Sequence, residues 1–152
     1  MNSILDIALA EYGVTEVVGD HHNSRILTYF KEIGHSWVTT DETAWCSAYA
    51  NWVALKAGCA RSGKLTARSW LTVGKKIASP ALGSVVVFWR ESKSSWKGHV
   101  GFFIGFSQDG NYVYVLGGNQ NNMVCIKAYP IHRVLGYRNI HKPSFKPILD
   151  AA

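Results

Sequence analysis

Cys46 lies in the segment Thr39-Thr40-Asp41-Glu42-Thr43-Ala44-Trp45-Cys46-Ser47-Ala48-Tyr49, which reads as the entry to a helix. Further along, Gly98-His99-Val100-Gly101 opens an apolar strand. A helix N-terminus carries partial positive charge that favours a thiolate, and an imidazole can take the thiol proton. Cys46 and His99 therefore read as a nucleophile and its general base, the parts of a hydrolase or acyl transferase that works through a thioester. Cys46 sits in the first turn, beside polar Ser47 and behind an acidic cap, where the helix dipole and solvent both reach it.

A catalytic imidazole needs a third group to hold its tautomer. The segment Leu116-Gly117-Gly118-Asn119-Gln120-Asn121-Asn122 offers amides. A tight turn at Asp109-Gly110 sets His99 opposite Gln120, whereas a bulge at Gly117-Gly118 resets the alternation and brings Asn119 there instead. Asn119 is the reading taken, with Gln120 its rival. His99, Gly101, Phe103 and Gly105 share one face of their strand, and the glycines would let the cysteine helix approach on that face.

These residues need elements to position them. Ile4, Ile7, Ala8 and Glu11 begin a short amphipathic helix that stops near Gly13. A second helix runs from Asn23 to about Ile33, with Asn23 or Ser24 as its cap and Gly34 as its stop. The third spans about Ala44 to Ala57, capped by Asp41 or Thr43 and ended by Gly58. Its apolar positions go round most of the helix, as in a buried one. A short fourth helix covers Ala67 to Val73. Strands follow at Ser84–Trp89, His99–Phe106, Tyr112–Leu116, Met123–Tyr129 and Val134–Arg138. Helices first and a strand meander after them make an α+β domain, with the cysteine helix on an antiparallel sheet of about five strands. Residues 1–140 read as one domain, and 141–152 as an extended tail.

The chain has 152 residues and a formal charge of +6. That length suits a single domain with a real core, and the charge suggests an anionic partner. The positive charges are scattered and form no nucleic-acid motif. No apolar run spans a bilayer, so stable membrane insertion is not expected. The N-terminus lacks the marks of a signal peptide, which implies synthesis in the cytoplasm and release by another system for any action at the cell wall or in the periplasm. Three cysteines, Cys46, Cys59 and Cys125, make no disulfide framework or CxxC zinc pair. Cys59 and Cys125 read as small buried hydrophobes. His21, His22, His35, His132 and His141 match no ligand spacing and read as structural or surface residues, so no metal and no cofactor is expected.

Asp-Glu-Thr-Ala-Trp-Cys-Ser-Ala-Tyr, Gly-His-Val-Gly-Phe-Phe, Gly-Gly-Asn-Gln and Leu-Gly-Tyr-Arg together resemble the CHAP and NlpC/P60 superfamily of cysteine peptidoglycan hydrolases, above all its small single-domain members among phage endolysins and cell-wall effectors. The resemblance implies a papain-like fold, an amide bond in bacterial wall peptides as the target, Cys46 as nucleophile and His99 as base. It corresponds less closely at Asn119, where many CHAP members place an acidic residue and NlpC/P60 members often a histidine. It also implies an oxyanion site made from the nucleophile's own backbone N–H and one polar side chain. Thr40, Asp41 and Tyr49 are all near enough to supply the latter. Trp45 walls the cleft or packs in the core, and Gln120 contacts substrate if it does not orient His99.

The function expected is a monomeric, bacteriolytic peptidoglycan amidohydrolase, an N-acetylmuramoyl-L-alanine amidase or an endopeptidase. Two other classes fit parts of the sequence. A papain-like acyl transferase would be marked by a membrane anchor or an amphipathic segment near the cleft, and neither is found. A non-catalytic basic module for wall polymer or nucleic acid would tolerate alkylation of Cys46.

Overall fold

A computed structural model describes residues 3–17, 22–40 and 44–142. Three α-helices come first: α1 (Ile4–Leu9), α2 (Ser24–Glu32) and α3 (Cys46–Ala57). A 3₁₀ turn at Ala67–Thr72 follows, then strands β1 (Lys75–Ile77), β2 (Val85–Trp89), β3 (Gly98–Phe106), β4 (Tyr112–Gln120), β5 (Met123–Pro130) and β6 (Val134–Asn139). The strands form one antiparallel sheet in the order β1-β6-β2-β3-β4-β5. The sheet thus has six strands, one more than expected. The extra strand, β1, is three residues long, polar and at the edge, so it carries no apolar periodicity.

The helix boundaries follow their capping chemistry. Ser3 and Asp6 form a reciprocal capping box on α1, with Asp6 N–H donating to Ser3 Oγ at 3.1 Å and Ser3 N–H to Asp6 Oδ2 at 3.2 Å. Asn23 Oδ1 accepts from Arg25 N–H at 2.8 Å at the start of α2. Gly58 ends α3 in the left-handed region at φ 70°, where only glycine sits without strain. The expected caps of α3, Asp41 and Thr43, lie outside the described residues.

Every residue of α3 from Cys46 to Ala54 is buried. Its two internal polar residues are satisfied by a network that pins the following loop to the helix. Ser47 Oγ donates to the Lys64 carbonyl at 2.6 Å and accepts from Trp70 Nε1 at 3.0 Å. Asn51 Nδ2 donates to the Ser47 and Lys64 carbonyls at 3.0 Å, and its Oδ1 accepts from Gly63 N–H at 2.8 Å. Such buried groups are tolerated only when fully paired, and here the pairing also fixes the roll of α3.

The two faces of the sheet have separate cores. Val85, Val87, Val100, Phe102 and Leu116 face α3 and its neighbours, among them Trp45, Tyr29 and Trp70. Val86, Phe88, Phe103, Val113 and Val115 pack on the opposite face with Tyr129, Val134 and Tyr137. Alternation along β3 therefore puts His99 on the face away from the helices.

Candidate active site

Cys46 is the first residue of α3, where the amides of the opening turn have no helical acceptor. It is buried, only 8% exposed, rather than open to solvent as the sequence suggested. Burial pushes its thiol up; the backbone amides of Val100 and Ser47, the charge of Arg90 and its own amide oppose that by favouring thiolate. Val100 follows His99 directly, so the thiol addresses the histidine strand.

The helix does not reach that strand through glycines on the histidine face. A Cβ on Gly101 would meet Val115 Cγ1 at 2.2 Å, and one on Gly105 would meet nothing within 4 Å, so neither glycine makes room for α3. The approach is made from the other face at Gly118. A Cβ there would lie 2.7 Å from Trp45 Cζ3 and 2.8 Å from Tyr49 Cβ. Pairing of β3 with β4 ends at Phe102↔Leu116, so β3 from Gly98 to Gly101 is unpaired on that side, next to the start of α3.

His99 is 5% exposed and packs against two aromatic rings. Tyr129 stacks on it at 5.0 Å between centroids and 27° between planes, and Phe88 at 6.2 Å and 29°. Burial above all lowers its pKa to about 4; the hydrogen bond to Gln120 opposes this, and the charges of Arg90 and Lys127 add to it. The resting imidazole is therefore neutral, and so is the buried thiol.

The residue on the imidazole is Gln120, not Asn119. Gln120 Oε1 lies 2.8 Å from His99 Nε2. The Gln120 Nε2 amine is spent on two backbone carbonyls, Cys125 at 2.7 Å and Val115 at 3.1 Å. Its oxygen must then face the ring, so His99 carries its proton on Nε2 and keeps Nδ1 as a free acceptor. A bulge does occur in this segment, and yet it delivers the rival residue. The β3–β4 register already shifts by one between Phe103 and Gly105, and the β4 register against β5 shifts again between Gly117 and Gln120. The two offsets cancel at His99. Asn119 lies within this bulge, at φ 56°, and it lines the cavity beside His99 instead.

The remaining candidates fall away from the chemistry or outside view. Trp45 is fully buried, its Nε1 donating to Glu16 Oε1 at 2.7 Å, so it is core and not a cleft wall. Tyr49 is fully buried and donates to the Ala8 carbonyl at 2.7 Å, which removes it as an oxyanion donor. Thr40 Oγ1 lies 3.5 Å from His22 Nδ1. Asp41 lies outside the described residues. His35 is structural, bonding the Gly63 carbonyl at 2.9 Å and accepting from Trp37 Nε1 at 3.2 Å. The sequence also gave no sign of Tyr129, Arg90, Lys127 or Arg133 as neighbours of the histidine. They come from other strands and a loop, and only the sheet order assembles them.

A cavity of ≈ 210 Å³ opens beside His99, lined by Phe88, Trp89, Arg90, Asn119, Lys127, Tyr129 and Arg133 as well as the histidine. A thiol at a helix start, a neutral imidazole and an amide holding its Nε2 are the residue types that thiol nucleophilic catalysis uses as nucleophile, base and orienter.

The family model described as the CHAP domain matches residues 38–119, more than half of the chain, and takes in both Cys46 and His99. The chain belongs to the CHAP domain family. The solved structure of a protein titled as similar to lipoprotein, NLP/P60 family, from Staphylococcus aureus subsp. aureus Mu50, superposes with a TM-score of 0.50 at 19% identity. The match covers 91% of this chain and 41% of the other, so the CHAP chain spans about two fifths of that protein's length. At this identity the likeness bears on the fold, which is papain-like α+β. No curated protein matches the sequence.

Proposed function

We propose that this CHAP domain cleaves an amide bond in bacterial wall peptides by Cys46 thiol catalysis, as an N-acetylmuramoyl-L-alanine amidase or a wall endopeptidase, and that its action on the cell wall is bacteriolytic. The observation that carries the reading is the state of His99, neutral, protonated on Nε2 by its bond to Gln120, with Nδ1 free to accept a proton. The Cys46 Sγ–H proton passes to Nδ1 as sulfur attacks the scissile carbonyl carbon. The tetrahedral oxyanion takes the Cys46 backbone N–H at the helix start. The imidazolium then gives its proton to the leaving amine, the C–N bond breaks and a thioester remains. Water, deprotonated by the same nitrogen, hydrolyses the thioester to a carboxylic acid and regenerates the thiol.

The test is mass spectrometry of muropeptides after digestion of purified peptidoglycan by the intact protein and by Cys46→Ala. The expected result is a new amine and a new carboxylate at one bond with the intact protein and none with the variant, whose fold is checked by circular dichroism. Equal digestion by folded Cys46→Ala, or no new termini from the intact protein, overturns the reading.

A further inference from the structure

The cavity beside His99 has an unusual electrostatic lining. Arg90, Lys127 and Arg133 all contribute to it, and among the described residues no carboxylate does. Among the described residues none of the three joins an ion pair; the acidic partners there serve Arg25, Lys56 and Lys97. Two of the cations are held instead by aromatic faces and a weak amide contact. The Arg133 guanidinium lies 5.2 Å from the Trp89 ring, and Lys127 Nζ lies 5.4 Å from the Tyr129 ring and 3.4 Å from Asn121 Oδ1.

Arg133 carries the decisive atom. Its Nε is buried and, among the described residues, has no hydrogen-bond partner. A buried guanidinium N–H without an acceptor is costly, and native proteins seldom leave one that nothing completes. The Trp89 ring beside the guanidinium holds Arg133 at the cavity wall, and a guanidinium is the side chain whose donors match a planar carboxylate. His99 itself lines the cavity, so an anion held there sits beside the imidazole.

We propose that this cavity is a carboxylate subsite: the preferred substrate is an acidic peptide whose free carboxylate, close to the amide attacked by Cys46, is held by Arg133 and Lys127. The inference rests on the hydrolase reading and names the substrate that the cleft selects. The cavity's volume suits one acidic group and not a length of polymer, so selection acts on a single carboxylate rather than on bulk charge.

Two muropeptide pools test this, one with its peptide carboxylates free and the same pool converted to carboxamides. The intact protein is expected to show a kcat/KM at least about tenfold higher on the free-carboxylate pool, the range of a charge-assisted hydrogen bond. In Arg133→Met with Lys127→Met the ratio should fall toward one, and Arg133→Lys should recover part of it if Arg133→Met folds poorly. A ratio near one for the intact protein, or a ratio that survives in the double variant, overturns the subsite while leaving hydrolysis standing. A second arm needs no turnover. In the Cys46→Ala protein the Arg133 Nε–H resonance should shift with the free-carboxylate pool and not with the amidated one. That shift without any cleavage by the intact protein would support the subsite and refute the hydrolase; no shift overturns the subsite.

Discussion

Gln120 holds His99 through one oxygen while its nitrogen serves two backbone carbonyls, and this division of labour explains why an amide stands there. Oε1 faces His99 Nε2 at 2.8 Å, and Nε2 donates to Cys125 and Val115. A carboxylate could serve the ring but would face those carbonyls with no proton to give. Gln120 is 1% exposed, so water cannot compensate.

Gln120→Glu is therefore expected to destabilise the fold by about 2–3 kcal/mol, the cost of buried acceptors left unpaired. It should also raise the pH at which activity begins, because a carboxylate stabilises the imidazolium. Gln120→Ala should lower kcat far more than it changes KM. Urea unfolding and the pH profile of kcat/KM check both. A merely structural Gln120 would alter stability and leave the pH profile where it is.

Asn119 is expected to behave differently. It occupies φ 56° within a bulge, a conformation that costs other side chains about 1 kcal/mol and glycine almost nothing. Asn119→Gly should retain stability, and Asn119→Ala should lose roughly 1 kcal/mol. Neither should shift the acid limb of the activity profile. If Asn119→Gly abolishes turnover in a folded protein, the imidazole is held in some way other than through Gln120.

The depressed pKa of His99 makes stability depend on pH. In the folded protein the ring protonates only near pH 4, against 6.5 when exposed, chiefly because burial disfavours its charge. Above 6.5 both states hold a neutral ring and the full stability is present. As pH falls from 6.5 toward 4 the unfolded chain binds the proton first, and about 3 kcal/mol of stability is lost across that window. His99→Gln should lack that component, which urea unfolding at several pH values resolves. A wild-type stability curve parallel to that of His99→Gln would show that the ring is not buried neutral.

The sequence made the local elements legible because each carries its own signal: Asn23 as a cap, Gly58 as a stop, the apolar run at Val85–Trp89. Cys46 at a helix start and His99 in a strand were readable for the same reason. The third residue was not, because its identity depends on two one-residue register shifts that cancel, and the one between Phe103 and Gly105 sits in an apolar run without a turn residue to announce it. The face of the sheet that α3 covers was misread through Gly101 and Gly105. Their small size suggested a helix contact, but a side chain from the neighbouring strand fills the space at Gly101. The cationic lining was unreadable, since Arg90, Lys127 and Arg133 meet only through the order of β2, β3, β4, β5 and β6.

Gly118 brings β4 against the start of α3, and its substitution should separate positioning from folding. A Cβ there would lie 2.7 Å from Trp45 Cζ3, 2.8 Å from Trp45 Cε3 and 2.8 Å from Tyr49 Cβ. Neither ring can yield. Trp45 is tethered to Glu16 and Tyr49 to the Ala8 carbonyl, and both are fully buried. The strand must move instead, and Gln120 is only two residues further on. Gly118→Ala is therefore expected to cost about 1–3 kcal/mol of stability through overpacking, and to lower kcat more steeply than that loss implies because Gln120 shifts off His99. Gly105→Ala is the control: its Cβ meets nothing within 4 Å, so stability and rate should stay close to wild type. Thermal unfolding and kcat/KM on muropeptides, measured well below the melting temperature of each variant, give the comparison. A Gly118→Ala protein with unchanged kcat would mean that the seat of Gln120 does not depend on the close contact between β4 and α3.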